Sequence, residues 1–206
     1  MYMPNYIKKL LVRFQHQAPS NPVHSPAKFE RPTHGAKVQH AKEEPESSSL
    51  SKNEVLRLQQ VVGTFLNYAK ATDLAMLVTI SDLSQDQTNS NDQTLNTMVN
   101  LLNYAATHPD AKVRFHKSGM MLHVHRDGSC LSITKARNRA FLANNDSKTS
   151  DSKNNGAKHV YSTILKNAMA SAAETEIAAT FNNAEEIYYF TTLSKIHWSY
   201  SITNTH

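Results

Sequence analysis

Residues Met120–Arg139 read MMLHVHRDGSCLSITKARNR, and this stretch decides the fold. Met120–Arg126 alternates with the period of a strand, reaches Asp127, and breaks at Gly128-Ser129. The chain then enters a basic tract, Lys135, Arg137 and Arg139. Asp127 is the only acid between Asp110 and Asp146, and residues 111–145 hold seven Lys and Arg. A carboxylate at the end of a strand can hold a hard cation such as Mg²⁺. The plain alternative is a turn residue, because Asp-Gly is itself a strong turn signal.

Upstream of this stretch the period is helical. Ser51 and Glu54 form an S-x-x-E capping box ahead of Val55, Leu58, Val62, Phe65, Leu66 and Ala69. A second helix is expected over Leu74–Leu83 and a third over Asp92–Thr107, with Pro109 blocking extension. Met1–Gln15 is an amphipathic helix candidate with Ile7, Leu10, Leu11 and Phe14 on one stripe. So short a helix is marginal alone and needs a docking surface. Between them, residues 17–50 carry Pro19, Pro22, Pro26, Pro32 and Pro45 and read as a linker.

Around and after Asp127, Lys112–His116 alternates and is expected to form a hairpin with Met120–Arg126. Arg139–Ala143 and Val160–Leu165 are further strand candidates, and Met169–Leu193 is expected to be helical. Ser171 and Glu174 make a second capping box there. The order of helices, strands and a helix predicts an α+β chain: a small helical unit followed by a sheet with a helix. The expected divisions are 1–16, the linker 17–50, the helical unit 51–110, the sheet region 111–195 and a tail 196–206.

Charge is segregated. Residues 1–42 sum to +6, 43–110 to −6, 111–145 to +6 and 146–206 to −1. Two basic blocks around an acidic one suit a polyanionic partner; the plain alternative is solvated faces. Lys135, Arg137 and Arg139 alternate along an extended segment and are candidate phosphate contacts. The single cysteine, Cys130, excludes an internal disulfide framework and points to a reducing, intracellular compartment. No apolar run reaches membrane-spanning length and no signal-peptide core is evident, so no membrane partner is expected. His123 and His125 share a strand face but lack a third ligand at suggestive spacing, and a partly exposed sheet face explains them better. Glu176 falls in the second turn of the last helix, from which it could face a neighbouring strand.

Several segments, in order, resemble the C-terminal part of a copia-type LTR-retrotransposon polyprotein. These are MPNYIKKLLVRF, LQQVVGTFLNYAKATDLAMLVTISDLS, MVNLLNYAATHPDAKVRFHKSGMMLHVHRDGSCLSITKARNRA and MASAAETEIAATFNNAEE. They look like the end of the reverse transcriptase, its connection region and the start of the RNase H domain. The resemblance implies a mixed sheet with helices, Asp127 on the first strand and Glu176 on the first helix as metal-binding catalytic carboxylates. It further implies Mg²⁺ or Mn²⁺ as cofactor and an RNA–DNA hybrid as substrate. The chain departs from the family where a Gly-Gly pair after the Arg139-Ala140 match is absent and Ala140 runs directly into Phe141, where Cys130 takes a usually aromatic position, and where no acid follows Glu186. Two of four metal-binding carboxylates are therefore expected to be missing. The expectation is a degenerate fragment without catalytic activity alone. The alternatives are an RNase H completed by a longer retroelement product, and a non-catalytic nucleic-acid-binding module.

Overall fold

The structure is a computed structural model, and it describes residues 1–27, 49–118, 121–129, 137–145, 155–165 and 171–203. The chain is α+β. Among the described residues, five helices run over Tyr6–Arg13 (α1), Lys52–Ala71 (α2), Leu77–Gln85 (α3), Asp92–Thr107 (α4) and Ala172–Thr203 (α5). Three strands, Met121–Ser129 (β1), Arg137–Asn145 (β2) and Ala157–Ile164 (β3), form an antiparallel sheet in the order β1-β2-β3. All pairings in this sheet are antiparallel, whereas the resemblance implies a mixed sheet.

The helical unit forms for the reasons its sequence gives. The Ser51 hydroxyl accepts from the Glu54 amide while the Glu54 carboxylate accepts from the Ser51 amide, 2.9 Å away, so both arms of the capping box are made. The Ser51 hydroxyl also donates to the Glu54 carboxylate at 2.6 Å, and that bond together with the one from the Ser51 amide holds the Glu54 carboxyl below its usual pKa. Asn91 caps α4 through a bond from the Thr94 amide. Leu58, Val61, Val62 and Phe65 of α2 then meet Ile80 and Leu83 of α3 and Met98, Leu101 and Leu102 of α4 in one buried core.

Helix α1 finds the docking surface it needs on that core. Ile7, Leu10 and Phe14 are buried in it, and the Tyr6 ring stacks on Tyr68 with centroids 5.5 Å apart. The helix starts later than Pro4, after Asn5 in the left-handed region. It stops at Gln15, also left-handed at φ 51°, with the His16 amide donating back to the Leu11 carbonyl. Arg57 donates to the Phe14 carbonyl, filling one acceptor that a helix end leaves open. Beyond α1, the Val23 amide donates to the Thr107 hydroxyl and Asn100 donates to the Ser25 and Pro26 carbonyls, so this part of the linker lies along α4.

Lys112–His116 is not a strand, and the expected hairpin with Met120–Arg126 does not form. The segment is bound elsewhere: Val113 exchanges backbone bonds with Met1, and the Asn155 side chain brackets His116 by accepting from its amide at 2.9 Å and donating to its carbonyl at 3.0 Å. β1 pairs instead with β2, across a connection that lies outside the described residues.

Register and contacts sort the sheet residues onto two faces. Across the ladder Arg126 stands opposite Ala140 and Ala140 opposite Tyr161, while Val124 stands opposite Leu142 and Leu142 opposite His159. This face carries α5: Tyr161 bonds Asn183, and His159 lies beside Phe190 and Glu186. The other face turns toward the helical unit, where Val160 packs against its core and Ser81 donates to the Ser162 carbonyl at 3.4 Å. The sheet is thus the middle of three layers.

Candidate functional site

Asp127 stands near the end of β1, exposed, one residue before Gly128. Glu176 is in the first turns of α5, also exposed, and α5 packs mainly on β1. The helix is placed by Ser171, whose hydroxyl accepts from the Glu174 amide, and by buried Thr175, Ala179 and Asn183 turned to the sheet.

Gly128 lets α5 come close. A methyl group at its Cα would sit 3.2 Å from the Glu176 carboxyl carbon and 3.3 Å from the Thr175 carbonyl oxygen. Arg126 belongs to the same row. Its guanidinium lies 3.4 Å from a Glu176 carboxylate oxygen and also donates to the Thr180 hydroxyl. Successive side chains on a strand alternate between faces. Arg126 and Gly128 meet α5, so Asp127 belongs to the opposite face, the one shared with His123 and His125. The Cα register sets Arg139 directly across from Asp127 and Arg137 across from Ser129.

Glu176 is therefore brought to Gly128 and Arg126, while strand alternation assigns Asp127 to the face away from α5. A hard divalent cation needs several oxygens converging on one point. Here the Glu176 carboxylate is engaged by a guanidinium and the second carboxylate lies on the other face. Among the described residues, Asp127 and Glu176 do not fit a two-ion centre. Among the described residues no three His, Cys, Asp or Glu side chains come together to hold a metal ion. Lys135 and Cys130 lie outside the described residues. Arg137 and Arg139 are two apart on β2, as their spacing predicts for an extended segment.

Sequence reading did not single out a second polar cluster. Asp73, Tyr104, Thr107, His108 and Asp110 line a cleft of about 370 Å³ between α4 and the turn before α3. Asp73 is buried; one carboxylate oxygen accepts from the Ala75 amide at 3.3 Å and from the Tyr104 hydroxyl at 3.5 Å. The other is buried with no partner among the described residues. Burial pushes the Asp73 carboxyl above its ordinary pKa, and burial with the Asp73 charge pushes the Tyr104 phenol up to about 12. The signal was present in sequence as an Asp ahead of a short helical turn, with a tyrosine 31 residues on.

A testable consequence follows from the sign of that shift. A folded-state carboxyl pKa raised above the unfolded value of about 3.9 gives stability that is full below the unfolded pKa. It is lost as pH rises through the folded-state pKa. Asp73→Asn keeps the accepting oxygen and removes the titration. In urea melts between pH 4 and 7, the stability of Asp73→Asn relative to the parent is expected to rise with pH. Asp73→Ala, which loses the cap, is expected to cost about 0.5–2 kcal/mol.

Comparisons of the chain with models of known families, with curated proteins and with solved structures find no match. Among the described residues no helix is long and apolar enough to cross a membrane.

Proposed function

We propose that the chain derives from the reverse transcriptase–RNase H region of a copia-type retroelement polyprotein and has no catalytic activity by itself. The resemblance of its segments supports the origin. The element order, three strands followed by a helix that packs on β1, is compatible with it, although the described strands pair antiparallel throughout. The observation that carries the loss of activity is the Arg126 guanidinium on the Glu176 carboxylate, with Asp127 on the opposite face. RNase H chemistry through Mg²⁺ or Mn²⁺ needs carboxylates gathered around the ions, and this arrangement separates them.

The test is hydrolysis of a labelled RNA–DNA hybrid in Mg²⁺ or Mn²⁺. The parent is expected to match the background set by Asp127→Asn. Robust cleavage that Asp127→Asn abolishes would overturn the reading.

One observation favours a second reading, an RNase H completed by a longer retroelement product. β1 is an edge of the sheet, so one side of its ladder is open among the described strands. That reading requires cleavage that appears only on mixing the two chains. On either reading the basic positions Arg137 and Arg139 of β2, with Lys135 in sequence, are the candidate contacts to a nucleic-acid backbone.

A further inference from the structure

Helix α5 turns one face to the sheet and leaves an apolar one outward. Thr175, Ala179 and Asn183 are buried against the strands. On the opposite side, Ile177, Phe181, Ala184 and Tyr188 follow one another at spacings of four, three and four residues. Ile177 is 70%, Phe181 64% and Tyr188 75% exposed. Aromatic and branched side chains at that exposure, in one line, are unusual for a surface that stays in water. The alternating three- and four-residue spacing is the seam of a helix that packs on another helix, since it keeps apolar positions along one line of contact.

The charge along the seam says what kind of helix. Ala172–Leu193 contains four acids, Glu174, Glu176, Glu185 and Glu186, and no Lys or Arg. Glu176 meets Arg126 and Glu186 meets His159, both on the sheet side. Glu185 and Glu174 fall on the same edge of the seam, while Thr180 and Thr191 fall on the other. A second copy of α5 packed antiparallel would bring like edges together, Glu185 with the other copy's acidic edge. A partner with Lys or Arg along its matching edge gains where a second copy loses.

We propose that the Ile177–Tyr188 face of α5 is a docking surface for an amphipathic helix of another protein, one with an apolar seam and basic residues along one edge. The contact is independent of the retroelement reading. It would order by apolar burial of Phe181 and Tyr188, with Glu185 setting partner choice.

The test uses the full chain and two synthetic 21-residue helical peptides with identical leucine seams, one flanked by lysine and one by glutamate. Binding is read by fluorescence anisotropy. The lysine peptide is expected to bind at least tenfold tighter. Phe181→Ser should lose at least tenfold, and Glu185→Gln should narrow the preference between peptides. Both positions are exposed, so circular dichroism should show unchanged helix content. Equal binding of both peptides, or binding of neither, would overturn the proposal. So would sedimentation showing a dimer at assay concentration that Phe181→Ser dissolves, because a second copy would then occupy the face.

Discussion

Phe65→Ala is expected to destabilise the chain by about 3–5 kcal/mol, the usual cost of removing a buried aromatic ring and leaving its cavity. Phe65 is fully buried (0% exposed) at the middle of α2. Its ring packs against Phe14 of α1 with centroids 6.4 Å apart. Removing it therefore thins the α2 contact with the core and weakens the anchor of an eight-residue helix that cannot hold itself together in water. A domain of this kind is stable by only about 5–15 kcal/mol, so the loss is a large fraction of the whole. Urea unfolding followed by circular dichroism measures it. Val12→Ser, on the 79% exposed side of α1, is the control and is expected to stay within about 0.5 kcal/mol of the parent. A cost below about 1 kcal/mol for Phe65→Ala would show that the core collapses around the gap and that α1 does not depend on it.

The helical unit was the most legible part because its signals are local. Asp92–Thr107 has the expected limits, and the Ser51–Glu54 box is made as read. The second helix begins as a tight turn at Leu74–Met76 before α3, since Asp73 caps that turn rather than the helix proper. The strand at Arg139–Ala143 is longer, Arg137–Asn145, and the one at Val160–Leu165 lies earlier, Ala157–Ile164. The C-terminal helix runs to Thr203, through a tail in which no period was visible.

What failed was non-local. The alternation in Lys112–His116 fits a strand, but nothing in the segment reveals that Met1 and Asn155 compete for its backbone. A chain segment adopts the partner that is nearest in space, and sequence shows only what is nearest along the chain. The same limit governs the candidate site. Asp127 and Glu176 were readable as carboxylates on a strand and on a helix. Their relation depends on which face of β1 receives α5. Gly128 decides it: the residue without a side chain is the one a helix can approach most closely, so its row becomes the covered row. Arg126, two residues away on that row, then meets Glu176. On α5 the apolar period does not mark the covered side either: Ile177, Phe181 and Ala184 turn outward, and the buried row, Thr175, Ala179 and Asn183, lies on the opposite side.

Gly156→Val is the substitution that tests how Val113–His116 is held. Gly156 precedes β3, and a methyl group at its Cα would sit 2.7 Å from the Arg114 carbonyl oxygen, 2.7 Å from a Val113 methyl and 2.9 Å from the Phe115 ring. The nearest of these is backbone and cannot rotate away. It is also pinned on both sides, by the Val113 bonds to Met1 and by the Asn155 bracket around His116. Any branched side chain must therefore push the segment off β3 or break one of those bonds. Overpacking of this kind costs about 1–3 kcal/mol. The larger consequence is local: with the bracket sprung, the His116 amide should lose protection in hydrogen exchange, while amides in α2 and α4 keep theirs. Asn155→Ala should reproduce that pattern, because it removes the same two bonds without crowding. If Gly156→Val instead leaves the exchange of His116 untouched at full parental stability, the segment can shift at no cost. The contact between Gly156 and Arg114 would then not be what keeps Lys112–His116 out of the sheet.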